Sequence, residues 1–107
     1  KNLDGLQISL GNQANILSDW GRLEEAVGML KEQERLCKQL GIIENLCISW
    51  VNQGAIYEKL GEPAKQIQLL KDALALAREH KLISLAAQIA AILKSLEPDD
   101  SPPPVSA

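Results

Sequence analysis

An all-α repeat fold, with two helical hairpins stacked side by side and a fifth helix closing the stack, follows from three observations on this 107-residue chain. Leu6, Ile8, Ser9, Asn12, Gln13, Ile16, Gly21, Leu30, Lys31 and Leu36 recur as Leu46, Ile48, Ser49, Asn52, Gln53, Ile56, Gly61, Leu70, Lys71 and Leu76, each pair 40 positions apart. Between these positions apolar residues step by three and four, the spacing of one helical face. Gly21, Gly41 and Gly61 interrupt the pattern where helices end in a left-handed residue. A fixed period filled with helical spacing is the mark of a solenoid, in which each unit buries its face on the next. The repeat domain is placed at 1–97, with units at 3–41 and 43–81 and a closing, capping helix at 83–96.

The elements follow in order. Leu6, Leu10, Ala14 and Leu17 mark the inward face of a first helix over Asp4 to Trp20, which Gly21 stops. Leu23, Ala26, Val27, Leu30, Cys37 and Leu40 mark its hairpin partner, with Gly41 in the left-handed position. Leu46, Trp50, Gly54 and Tyr57 repeat the first helix. Pro63, which lacks an N–H where a first helical turn needs none, opens the second partner helix, with Ile67, Leu70, Ala73, Leu74 and Ala77 facing inward. Ile83, Ala86, Ile89, Ala90, Leu93 and Leu96 form the stripe of the fifth helix, but Leu85 and Ile92 lie off it, whereas a capping helix should show a polar outer face. From Glu97 onward the acidic and proline-rich run ending 98–107 reads as a solvated, disordered tail. Small residues at Ala14 and Gly54 are expected where the hairpin helices cross, so that Gly54→Leu should cost several kcal/mol by overpacking. Gly28 inside a helix has two open readings: close approach of another backbone, or a tolerated weak spot.

Composition excludes several classes. A formal net charge of −3 argues against a surface for nucleic acid or anionic membrane, which takes a basic patch. Cys37 and Cys47 sit in helical patterns and read as free, reduced and buried, although they flank a turn and a disulfide stays open. No apolar run reaches the roughly 18 residues of a membrane span. One histidine, His80 at a helix C-terminus, cannot build the common metal or nucleophile clusters, and the adjacent Glu24 and Glu25 face different ways. The expectation is therefore no enzyme, no metal and no cofactor. The chain opens at Lys1, in mid-pattern, and reads as a cytoplasmic fragment of a longer regulatory or scaffold protein.

The second unit reads Trp50-x-x-Gln53-Gly54-x-x-Tyr57-x-x-x-Gly61 with Leu70 and Ala73 following, and the first reads Leu10-x-x-Gln13-Ala14-x-x-Leu17-x-x-x-Gly21 with Ala26 and Leu30 following. This resembles the tetratricopeptide repeat, with Gln13 and Gln53 where the family has leucine and no closing proline. The 40-residue period resembles the extended variant of kinesin-light-chain-like and bacterial arrays. The resemblance implies a right-handed superhelix that serves as a protein-interaction module, whose first-type helices line a concave face that takes a peptide or a partner helix. It places Ile8, Gly11, Asn12, Asn15, Ser18 and Asp19, then Ile48, Val51, Asn52, Ala55, Glu58 and Lys59, outward on that face. Asn12, Asn15, Asp19, Asn52 and Lys59 are the candidate contacts.

An asparagine amide both donates and accepts, so Asn12 and Asn52, one repeat apart, can pair with a peptide main chain, or each can bond a neighbouring backbone group as a structural ladder. Gln13 and Gln53, in core positions, are expected to form buried inter-helix hydrogen bonds. The family's clamp for terminal carboxylates needs basic residues where Ile8, Gly11, Ile48 and Val51 stand, so that mode is disfavoured. Trp50 and Tyr57, seven apart, are expected in the core rather than as a stacking platform. Glu24, Glu25, Lys31, Glu32, Glu34, Arg35 and Lys38 read as a solvated helix side with a Glu34–Lys38 pair. Two rival roles remain open: self-association through the apolar fifth helix or the bare face of the first, and a sensor array in a signalling ATPase.

Overall fold

A computed structural model describes residues 2–96, in five helices: α1 (Leu3–Asp19), α2 (Leu23–Leu40), α3 (Ile43–Lys59), α4 (Pro63–Glu79) and α5 (Ile83–Leu96). The proline-rich tail lies outside the described residues. Each helix packs chiefly on the next in sequence, so α1 and α2 form one hairpin, α3 and α4 the second, and α5 lies on α4. The fold is an all-α helical repeat. Helices of 17 and 18 residues, joined by turns of three and two residues, set the 40-residue spacing.

One turn geometry serves all four connections. After α1, the N–H of Arg22 reaches the Leu17 carbonyl at 2.9 Å and that of Gly21 the Ser18 carbonyl at 3.0 Å, which satisfies two carbonyls the helix end leaves free. Ile42 to Cys37, Glu62 to Tyr57 and Leu82 to Ala77 repeat the longer bond at 2.8 to 2.9 Å. The motif needs a left-handed residue. Gly21, Gly41 and Gly61 supply it at φ of 80°, 71° and 77°, but the fourth turn uses Lys81 at 59°, where a Cβ is strained. At the other helix ends, the Asn2 side chain caps α1 by accepting from the Gly5 N–H at 2.9 Å, and Pro63 opens α4 as expected.

Two apolar clusters make the core. Ala14, Ala26, Val27, Leu30 and Ile56 join α1, α2 and α3, while Cys47, Leu70, Ala73, Ala77 and Ile89 join α3, α4 and α5. Trp50 and Tyr57 pack against these clusters, as expected, and the ammonium groups of Lys38 and Lys65 sit over their rings at 5.8 and 5.1 Å. Both cysteines are free and buried. They face opposite hairpins, Cys37 donating to Gln7 Oε1 of α1 at 3.4 Å and Cys47 to the Ala73 carbonyl of α4 at 3.6 Å, and burial raises both thiol pKa values.

The two hairpin crossings are not copies. A Cβ on Gly11 would lie 2.8 Å from the Gln33 amide, so glycine admits the large side chain of Gln33. Forty residues on, the equivalents are Val51 and Ala73, large and small exchanged, within one cluster. The next crossing reverses this: Ala14 shares a cluster with Ala26 in the first hairpin, but Gly54 opposes Gln66, with its absent Cβ 3.3 Å from Gln66 Cγ and 3.6 Å from Gln66 Cα. Close packing at constant volume is met by different pairs. Gly28 faces open space, so the close-approach reading fails and the position is a weak spot in α2.

Several sequence expectations for α1 and α5 fail. Gly11, expected outward, is buried, because its missing side chain is the space Gln33 fills. Leu6, expected inward, is exposed, and α1 instead buries Gln7, Gly11 and Ala14. Gln7 is a buried polar junction that accepts from Gln33 Nε2 at 3.1 Å and donates to Asp4 at 3.3 Å, leaving Gln33 Oε1 without a partner among the described residues. Ile83, expected in the α5 stripe, opens the helix at 80% exposure. Leu85 and Ile92, off the stripe, are partly buried on the α3 side.

Candidate partner-binding surface

The first-type helices are α1, α3 and α5, the leading helices of the two repeat units and the closing helix. Lys59 Nζ of α3 donates to Ser18 Oγ of α1 at 2.9 Å, which ties two of these helices directly together. Between α3 and α5 runs a groove of about 370 Å³ whose walls are Ile48, Val51, Leu85, Ile89 and Ile92, with Glu44, Ser84 and Gln88 at its polar margin. The off-stripe residues Leu85 and Ile92 therefore have a place: they face Ile48 and Val51 across the groove. An apolar floor with a few polar groups at the edge is the chemistry of a peptide or helix groove.

The five candidate contacts differ in exposure, and none of them lines the groove. Asn12, Asn15, Asp19 and Lys59 are exposed, and Asn52, on the same helix as Ile48 and Val51, is half-buried. None of the three asparagine amides is hydrogen-bonded among the described residues, so the structural-ladder reading finds no bond. Ile92 occupies in α5 the place that Asn12 and Asn52 hold in α1 and α3, so the row turns from amide to apolar along the array. Sequence reasoning missed Leu85, Gln88 and Ile92. The signal was present, since residues that break an apolar stripe on a terminal helix need a second neighbour.

Gln53 and Gln13 part company. Gln53 is buried and its Nε2 donates to Glu34 Oε1 of α2 at 2.9 Å and to Ser49 Oγ at 3.3 Å, the inter-helix bond expected. Gln13 is exposed and, among the described residues, reaches only Ser9 Oγ of its own helix, at 3.0 Å, because none of the five helices covers that side of α1. Glu34 is correspondingly not a solvated group: it bridges Gln53 and Lys38, whose Nζ lies 3.0 Å away. Burial pushes its carboxyl pKa up, but the hydrogen bonds from Gln53 and Lys38 outweigh that and hold it below the usual value. Three further charge pairs are exposed, Arg22 with Glu25, Arg35 with Glu32 and Lys65 with Glu62.

Stacked hairpins with three glycine turns and small residues at the crossings are consistent with a tetratricopeptide-like helical repeat. The family model for the tetratricopeptide repeat matches residues 48–80, most of α3, all of α4 and its cap. The first hairpin, with Leu10, Ala14 and Leu17 where the second has Trp50, Gly54 and Tyr57, lies outside that match. No curated protein and no solved structure matches the chain. Repeats of this family typically mediate protein–protein interaction and are typically non-catalytic. Among the described residues no helix is long and apolar enough to cross a membrane, and no group of three or more His, Cys, Asp and Glu side chains could hold a metal.

Proposed function

We propose that this chain is a protein-interaction module that takes an extended peptide or a partner helix along the surface of α1, α3 and α5, the concave wall of an extended, 40-residue-period array of a cytoplasmic regulatory or scaffold protein. The groove between α3 and α5 carries this reading: Ile48, Val51, Leu85 and Ile92 offer apolar pockets, and Asn52 next to them offers an unpaired amide. Asn12, Asn15, Asp19 and Lys59 extend the polar part of the wall toward α1. The mechanism is passive, because helices already packed present the contacts and ordering falls on the ligand.

Peptides selected on the full chain from a random display library test this. Val51→Glu should weaken the selected peptides at least tenfold, and Asn12→Ala with Asn52→Ala should weaken them while leaving helicity unchanged. Equal affinity for parent and variants removes this wall from the site. A second reading, self-association through α5, has one observation in its favour: exposed Ile83 borders a hollow of about 360 Å³ with Ala77, Leu82 and Ala86. A dimer by light scattering that Ile83→Glu dissolves would favour it.

A further inference from the structure

The side of α1 turned away from α2 repeats at four positions a surface that elsewhere in the molecule is covered. Leu46, Ser49, Gln53 and Ile56 of α3 are all buried, Leu46 at 4% and Ile56 at 3% exposure. Their counterparts Leu6, Ser9, Gln13 and Ile16 are the same residue types forty positions earlier, yet Leu6 is 45% and Ile16 50% exposed. Trp20, at the place of the partly buried Leu60, is 70% exposed. What differs is the neighbour, since α2 covers α3 and nothing among the described residues covers this side of α1.

The cover on α3 shows what such a surface accepts. Ser49 Oγ donates to the Leu30 carbonyl of α2 at 2.8 Å, Gln53 Nε2 donates to Glu34 Oε1 at 2.9 Å, and Ile56 packs in one cluster with Val27 and Leu30. On α1 the same internal bond, Gln13 to Ser9, is already made, so the pair is set in the orientation its counterpart uses. We propose that the face formed by Leu6, Ser9, Gln13, Ile16 and Trp20 is a docking site for an amphipathic repeat helix of the α2 type. That helix carries two apolar residues spaced as Val27 and Leu30, and a carboxylate four residues after the carbonyl that Ser9 engages.

A second copy of this chain does not supply it. Its α2 lies between α1 and α3, its α4 lies between α3 and α5, and α5 has no carboxylate side chain. The site is separate from the α3–α5 groove, and either can fail without the other.

The chain contains its own probe. A capped synthetic peptide of residues 23–40 presents the Leu30 carbonyl and Glu34 in the register that α3 uses. Titrated into the full chain and followed by NMR, it should shift the Gln13 side-chain amide and the Trp20 indole while those of Gln53 and Trp50 stay in place. Ile16→Glu, at an exposed position checked for unchanged helicity, should weaken binding at least tenfold, and Glu34→Gln in the peptide several-fold. Asn12→Ala with Asn52→Ala should leave it unaltered. The proposal fails if Gln13 and Trp20 do not respond at millimolar peptide, if Gln53 and Trp50 shift instead because the peptide displaces α2, or if the face is occupied by self-association that Ile16→Glu dissolves.

Discussion

Exchanging the first crossing for the second gives a direct test of how the hairpins pack. Gly11→Val puts a Cβ within 2.8 Å of Gln33 Nε2, a side chain only 5% exposed and bonded to Gln7. Displacing Gln33 breaks a buried hydrogen bond and overpacks the interface, together about 2 to 4 kcal/mol. Gln33→Ala alone leaves a void beside Gly11 and removes a partner of Gln7 Oε1, though it also removes the unpaired Gln33 Oε1, for about 1 to 3 kcal/mol. The double variant has the Val and Ala pair that Val51 and Ala73 form in the second hairpin. It should recover about 2 kcal/mol of the summed loss, within the range seen for residues in contact. Urea unfolding followed by circular dichroism reads the coupling, and in thermal melts each kcal/mol corresponds to about 4 to 8 °C for a domain of this size. Losses that add to within about 0.5 kcal/mol would refute size compensation at this crossing.

Lys81→Gly should stabilise the chain by about 0.5 to 1 kcal/mol, because Lys81 alone among the four turn residues holds the left-handed conformation with a Cβ; an unchanged or lower melting temperature counts against it. Gly54→Leu should cost about 2 to 3 kcal/mol against the Gln66 backbone, and a melting temperature within two degrees of the parent would contradict that. For Glu34, a folded pKa held below the usual 4.5 means stability that is present above pH 4.5 and lost as pH falls through the lowered value. Glu34→Gln should therefore melt closer to its neutral-pH temperature at pH 3 than the parent does, and equal acid losses would remove Glu34 from that role. Buried thiols with raised pKa values should label slowly at pH 8, at the rate of local opening, so prompt reaction of Cys37 or Cys47 would show a looser interface than described.

The fold was legible because its determinants are local. Gly21, Gly41 and Gly61 mark three of the four turns, and the fourth was still placed by the apolar stripe that begins at Ile83. What the sequence hid depends on neighbours. Leu6 and Leu46 are the same residue in the same repeat position, and only the presence of α2 decides that one is buried. The same holds for Gln13 and Gln53, one solvated and one carrying an inter-helix bond. Gly11 looked like part of an open surface because the family resemblance assigns a face to each repeat position and not the size of the side chain across from it. The groove between α3 and α5 was half visible, in Ile48 and Val51, while its other wall depended on reading Leu85 and Ile92 as contacts rather than as exceptions.

The unequal crossings bear on how such chains can be recombined. Because Gly11 needs Gln33 and Gly54 needs Gln66, a helix transplanted alone from one unit to the other brings either a clash or a void. A hairpin moved whole keeps both of its matched pairs. Gene exchange or directed shuffling in arrays of this kind should therefore tolerate breakpoints at the two-residue link between α2 and α3 and be purged from the links inside each hairpin.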